Sequence, residues 1–413
     1  MRLLLAYQNL IPQYGNGRMG VEKRWKGLGK GRRSAEGQRD IIPQLSDVSD
    51  TDVGCAGATL GLMQYSNGRV FVDVLYPDQA AKDVIRSTAG GLISNVLNAF
   101  QGMLDGLDWM DNDSKKGAYD KVLSIQKNVA FPDWITDNGK LDDFYKNLML
   151  TGDDTYYTIL DKLTVFNLWT QYNQLTATST DRTDFLGQPG IVNAWYQPEL
   201  NSITFPAGIL RPPFFHPEWP ASLNYGGMGL VAGHELTHGF DDQGVQWNGV
   251  GALNTWMTDG SKKGFDDMAK CIIDEYSSFC PLKGTNYTPQ CLNGENTQGE
   301  NIADNGGIHS AFRAYQVHKN LNGPDAQLNE RVLGQFSHDQ LFFLNFGQVW
   351  CQMDETPDQY FRQIMVDPHS PANYRVFGAI QNFPAFRSAF NCPVGATYSP
   401  EKHCDVWVPK KTP

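Results

Sequence analysis

Between residues 82 and 108 apolar side chains recur three and four positions apart: Leu92, Ile93, Val96, Leu97, Phe100, Met103, Leu104 and Leu107. That spacing lays one apolar stripe along a helix. A second helix is predicted over 114–130, ending before Phe131 because Pro132 blocks continuation. A third is predicted over 153–175, with Ile159, Leu160, Leu163 and Phe166 on one side. The texture changes near Gly187–Gly190. Residues 191–196 and 202–207 read as two short strands around a turn at Pro198, and Pro206 assigns the second to a sheet edge or a strand end. Residues 224–240 predict an apolar helix rich in glycine (Gly226, Gly227, Gly229, Gly233). Glycine costs helix propensity, and close approach of a neighbouring element would account for it. Residues 294–313 read as helical in part, interrupted at Gly306-Gly307, and 340–351 as a buried helix. The last forty residues alternate turns with short apolar runs and end near Trp407, whereas residues 1–50 show no periodicity. The predicted fold is mainly α with a small mixed β-sheet, an α+β class.

Composition narrows the function classes. The chain has 413 residues, 41% hydrophobic and 19% charged, enough for a large core and a soft prior of two or three domains. Its net charge of −11 argues against nucleic acid as a partner. The basic exception is residues 1–39, with nine Lys/Arg against two Glu. Gly15–Gly20 there formally reads G-x-G-x-x-G, but no strand precedes it and no apolar helix follows, so a dinucleotide site is not expected. No apolar run is long enough to span a membrane, and the apolar start at Leu3–Ala6 is shorter than a secretory core. The seven cysteines (55, 271, 280, 291, 351, 392, 404) include no C-x-x-C, which argues against a thiolate metal site and for an oxidising compartment. Sequons at Asn112 and Asn286 agree with secretion.

The chemistry concentrates in Val231–Asp242, which contains His234-Glu-Leu-Thr-His238. On a helix the two imidazoles lie one turn apart on one face and can bind one Zn²⁺, with Glu235 within reach of a water on that metal. The plain alternative is two surface histidines on an ordinary helix. The apolar setting weighs against it, as does the run Gly299-Glu-Asn-Ile-Ala-Asp304 downstream. Catalytic zinc usually takes three protein ligands, and Glu300 is a candidate for the third. Asp304, four residues on, and Asp241, just after His238, are placed to accept the free N–H of a ligating imidazole. The bland reading of both aspartates is capping or turn formation.

His234–Asp242 taken with Glu300-Asn-Ile-Ala-Asp-Asn-Gly-Gly307 resembles the neprilysin and endothelin-converting-enzyme family of zinc endopeptidases. The likeness extends through Val192–Tyr196, Phe205–Phe215, Gln340–Phe346, Val349–Cys351, Asp367–Pro371 and Cys404–Trp407, and covers about residues 52–413. It implies a thermolysin-like zincin catalytic domain over 181–413. A partial helical lid over 52–180 would stand before it, and 1–51 would be an aberrant or flexible segment. It implies one zinc held by His234, His238 and Glu300, Glu235 as general base, and Asp241 and Asp304 supporting the ligands. Asn193 and Ala194 match a substrate-pairing edge strand, His369 an oxyanion donor that counts with Glu235 and Asp304 among the catalytic residues, and Arg375 a group that binds a substrate carbonyl. Ile209, Phe214, Leu230, Val231, Val349 and Trp350 match an apolar pocket, whose plain reading is core. The implied activity is cleavage of oligopeptides on the amino side of bulky hydrophobic residues.

Full members of that family have an extracellular chain behind one membrane-spanning helix and a larger lid, so an extracellular ectodomain lacking its anchor is expected here. The likeness pairs Cys271 with Cys404, lets Cys280 and Cys291 close their own loop, and leaves Cys55, Cys351 and Cys392 without partners. An alternative function is a catalytically incompetent, peptide-binding fragment or decoy. A purely structural metal site is disfavoured, because it would have no use for Glu235.

Overall fold

The computed structural model describes residues 50–328, 333–353 and 355–409. The G-x-G-x-x-G run and nearly all of the segment 1–51 lie outside them. Helices α1 (Asp50–Leu62) and α2 (Gln64–Leu75) lead into α3 (Gln79–Asp105), whose first turn is capped by Asp78 accepting from Ala81 N at 2.8 Å. The predicted stripe of α3 is buried from Leu92 to Leu104. Helix α4 (Asn112–Leu123) is capped by Asp111, which also accepts the hydroxyls of Thr258 and Ser261. That knot ties α4 to the helix that Thr258 itself caps further on.

The helix expected over 114–130 stops at Leu123. Residues Gln126–Ala130 instead form strand β1. Over five residues a period of two and a period of 3.6 are hard to tell apart, and pairing with a partner strand decides. After α5 (Asn138–Tyr145) and α6 (Tyr156–Asn173), β2 (Trp195–Gln197) and β3 (Ser202–Pro206) complete a three-stranded sheet of order β1-β3-β2. β1 runs parallel to β3, from Gln126 opposite Ser202 to Ala130 opposite Pro206, and β2 runs antiparallel to it. β3 is therefore central and buried along its length, with Pro206 at its last position, where the missing N–H is tolerated. β1 and β2 are the two edge strands, and β2 is shorter than the 191–196 run predicted. The helical layer before residue 180 thus shares a sheet with the chain that follows.

A one-turn helix α7 (Ala221–Asn224) continues through a π-helical stretch, Tyr225–Gly229, into α8 (Leu230–His238). The glycines here are sites of close approach, as their number suggests. A Cβ on Gly226 would stand 2.2 Å from the Phe342 carbonyl oxygen, and one on Gly233 would stand 2.4 Å from Ser310 Oγ. After α9 (Asp259–Tyr276), α10 (Gln298–Asn322) runs unbroken through Gly306-Gly307, where an interruption was expected. Those glycines are contact points. A Cβ on Gly306 would meet the Thr237 side chain at 2.6 Å, and one on Gly307 would meet the His234 backbone nitrogen at 2.9 Å. α8 and α10 pack more intimately on each other than any other pair of helices, and α3 covers both.

α11 (His338–Val349) is buried as predicted, and α12 (Pro357–Val366) follows. Two more short helices, α13 (Ala372–Gln381) and α14 (Pro384–Phe390), open the last forty residues, where turns alternating with short apolar runs are expected. Pro357 and Pro384 sit in first turns, a position that needs no proline N–H, and so start these helices. Trp407 is fully buried against Phe100, Trp109, Phe240 and Phe265. The Cys271–Cys404 and Cys280–Cys291 disulfides both form, and Cys351 and Cys392 are free. The side chain of Cys55 is outside those described. No described helix is long and apolar enough to cross a membrane.

Candidate metal centre

His234 and His238 project from α8 with their Nε2 atoms 2.9 Å apart. Glu300, in the first turn of α10, faces both, with carboxylate oxygens 3.3 Å from His234 Nε2 and 3.5 Å from His238 Nε2. One ligand atom from each of the three residues can be chosen so that all lie within 4.8 Å of one another. The far sides of the rings are held: His234 Nδ1 is 2.9 Å from Asp304 Oδ1, and His238 Nδ1 is 2.7 Å from Asp241 Oδ2. A carboxylate accepts, so each Nδ1 donates to its aspartate, and with a metal bound each Nε2 presents a lone pair to it. Two lone pairs and a carboxylate then converge on one point. They repel unless a cation or proton stands between them, and the donor set of two imidazoles and one carboxylate suits zinc. The arrangement fits that metal.

Burial sets much of the electrostatics. Glu235, buried one residue after His234, has its carboxyl pKa raised by desolvation against the opposing pull of both imidazoles. Burial would also raise Glu300, but His238, His234 and His369 outweigh it and hold it well below the ordinary range. Asp304 is drawn down in the same way by Arg375, whose Nε and Nη2 bond its two oxygens at 2.7 and 2.8 Å. The Arg375 guanidinium stacks on Trp350, 3.9 Å from the ring centroid. His369 sits across from Glu300, with Nε2 3.2 Å from Oε1, and its Nδ1 lies 2.8 Å from Asp367 Oδ1. Burial pulls this imidazole down, yet Asp367 and Glu300 carry its pKa up to about 9. Ser370 Oγ, bonded to Asn301 Oδ1 at 2.8 Å, fixes this turn on α10.

The structure thus gathers His234, Glu235, His238, Asp241, Glu300, Asp304, His369 and Arg375, drawn from residues 234 to 375, into one cluster. Asn193 is exposed and Ala194 buried, immediately before edge strand β2. Of the apolar set, Ile209 and Leu230 are buried in the core, whereas Phe214, Val231, Val349 and Trp350 keep part of their surface exposed. Two neighbours had no role in the sequence reading. Asp367 could have been noticed as the acid two residues before His369 in a proline turn. Lys121 lies on the buried stripe of α4 with Ser114, Ala118 and Val122. A lysine at an apolar-stripe position was the available signal.

Two family models described as peptidase family M13 match the sequence, over residues 193–406 and 19–132. The second match reaches back into the segment 1–51 that the motifs had left outside the resemblance. Neprilysin-11 of Caenorhabditis elegans is 37% identical over 371 residues, which is 90% of this chain and 41% of that protein. Human neprilysin is 40% identical over 355 residues, 86% of this chain and 45% of its own. The chain spans less than half the length of these relatives. In three dimensions it is similar to a zinc metalloprotease of Mycobacterium tuberculosis solved with an inhibitor, with a TM-score of 0.76 and 30% identity over 87% of this chain and 52% of the other. The match over 193–406 takes in every residue of the cluster and just over half of the chain, and on that ground the chain belongs to peptidase family M13.

Proposed function

We propose that this chain is a zinc-dependent endopeptidase that hydrolyses oligopeptides on the amino side of bulky hydrophobic residues. One observation carries the reading: two imidazoles with their Nδ1 atoms held by Asp304 and Asp241 aim their Nε2 lone pairs, with Glu300, at a single point. His234, His238 and Glu300 would hold one zinc per chain. Zinc in such a site supplies Lewis acidity, which lowers the pKa of water and polarises a peptide carbonyl.

The other roles belong to side chains. Glu235, with its raised pKa, takes the proton of the attacking water and passes it to the leaving amine. His369, charged at neutral pH and partly open to solvent, donates to the developing oxyanion. Arg375 Nε and Nη2 are engaged by Asp304, so Nη1 meets a substrate carbonyl. The backbone at Asn193 and Ala194, entering an edge strand, pairs with an extended peptide. Ile209, Phe214, Leu230, Val231, Val349 and Trp350 form the apolar pocket, a reading supported by the contact of Trp350 with Arg375. Residues 52–180 would supply part of a lid over 181–413, apart from β1 and α3, which pack with β3, α8 and α10. The two disulfides support an extracellular placement.

The test is to express the 413-residue chain in an oxidising host, measure bound zinc, and assay a quenched peptide with an internal Phe against Glu235→Gln. One zinc per chain and cleavage before Phe only with Glu235 present are expected. Stoichiometric zinc with equal background rates in both proteins would instead identify a peptide-binding fragment.

A further inference from the structure

Lys121 is fully buried. An ammonium removed from water is costly unless its donors are satisfied. Here the Nζ donates to the carbonyl oxygens of Gly244 at 2.5 Å and Trp247 at 2.6 Å, and it lies 5.5 and 5.6 Å from the ring centroids of Phe240 and Tyr196. No described carboxylate bonds it, and burial pushes its pKa down to about 7 against the through-space attraction of Asp241. A leucine or methionine would fill the same shaft without a charge to satisfy, so packing gives no reason for a lysine there.

What the ammonium grips is the loop that holds Asp241. Gly244 takes the lysine on its carbonyl and donates its own N–H to Asp241 Oδ1 at 2.7 Å, while Gln243 N donates to the same oxygen at 2.9 Å. The second oxygen of Asp241 accepts from His238 Nδ1. A Cβ at residue 244 would stand 1.8 Å from the His238 carbonyl oxygen, so the loop lies directly against the end of α8. The lysine's own backbone is pinned in turn. Asn201 Nδ2 donates to the Lys121 carbonyl and to the Gly249 carbonyl, both at 3.0 Å, and Asn201 Oδ1 accepts from the Tyr196 hydroxyl of β2. A chain of direct contacts therefore runs from α4 through Lys121, Gly244 and Asp241 to His238.

We propose that Lys121 is a positioning residue for the metal centre: by holding Gly244 it fixes Asp241 against His238 and so sets that imidazole's orientation toward zinc. This rests on the zinc reading above. Groups that support a metal-bound histidine in this way change metal affinity about 10- to 100-fold when removed. Lys121 acts one contact further out, so about tenfold is expected for Lys121→Met.

The experiment measures the zinc dissociation constant by chelator competition, in full-length protein verified as folded by circular dichroism, for wild type, Lys121→Met, Asp241→Asn and the double variant. Lys121→Met should weaken zinc about tenfold, and its effect should fall below twofold in the Asp241→Asn background, because the two act in series. Lys121→Arg, which keeps a buried cation and donors, should recover at least part of the affinity. Should Lys121→Met fail to fold, Lys121→Gln, which keeps an amide donor, takes its place in the cycle. Zinc affinity within twofold of wild type in folded Lys121→Met would overturn the proposal, as would equal losses with and without Asp241. A purely structural lysine would lower the unfolding temperature and leave the zinc constant of the folded protein unchanged. A wild-type protein that binds no zinc would sink the metal reading first, and this inference with it.

Discussion

The Asp304–Arg375 pair allows a sharp energetic test. Both side chains are nearly inaccessible, at 1% and 8% of their side-chain surface, and they meet through two hydrogen bonds in a forked geometry. Neither charge can fall back on water if its partner is removed. Arg375→Met, which keeps the stem against Trp350, should therefore destabilise the metal-free protein by about 3–5 kcal/mol, the range for breaking a buried ion pair. Asp304→Asn should cost a similar amount for the mirror reason. The double variant leaves no buried charge in this pair, so its loss should be smaller than the sum, with a coupling of about 2 kcal/mol or more. Urea unfolding with zinc chelated throughout gives all four stabilities without a metal contribution. The pH dependence adds a second reading. Arg375 holds the Asp304 pKa below its ordinary 3.8, so the pair's contribution is present above that value and is lost as pH falls through the lower folded-state value. Arg375→Met should flatten that acid loss. Additive single-variant costs, or a loss below about 1 kcal/mol for Arg375→Met, would refute the account of a mutually dependent buried pair.

Gly306→Ala should destabilise the protein by about 1–3 kcal/mol through overpacking, because the new methyl would stand within 2.7 Å of Thr237 on the helix that carries the histidines. Differential scanning calorimetry of the metal-free protein reads this directly. Glu275, whose pKa burial pushes up to about 7 despite donors from Asn382 and Gln381, gives a pH test. Its folded-state value lies above its ordinary 4.5, so stability should decline as pH rises from 4.5 through 7. Glu275→Gln should remove that decline, and identical pH profiles for the two proteins would count against it.

Elements long enough to show a period were legible in the sequence. The stripe from Leu92 to Leu104 gave the buried face of α3, and the apolar run at Gln340 gave α11. Elements whose identity depends on a distant partner were not. Residues 126–130 look like the tail of a helix until β3 is beside them. Gly306-Gly307 looks like a break until α8 is seen lying so close that a Cβ on either glycine would stand 2.6 or 2.9 Å from its atoms. In each case a local propensity was outweighed by a contact that sequence spacing does not encode.

The site divides along the same line. His234, Glu235 and His238 were legible because helical periodicity alone puts the two imidazoles on one face. Glu300 and Asp304 carry the same i, i+4 logic on a second helix, and motif context joined the two helices. His369 had no such pattern. It gains its place opposite Glu300 only when Ser370 bonds Asn301 and Asp367 takes its Nδ1. Lys121 was hidden more completely. Its carbonyl partners are 123 and 126 residues away, and backbone carbonyls have no side-chain signature to search for. The only trace was a cation on an apolar stripe. A buried cation needs an acceptor somewhere, so such a residue is itself a prediction that a distant loop comes to meet it. In this chain that loop is the one that holds Asp241 against His238.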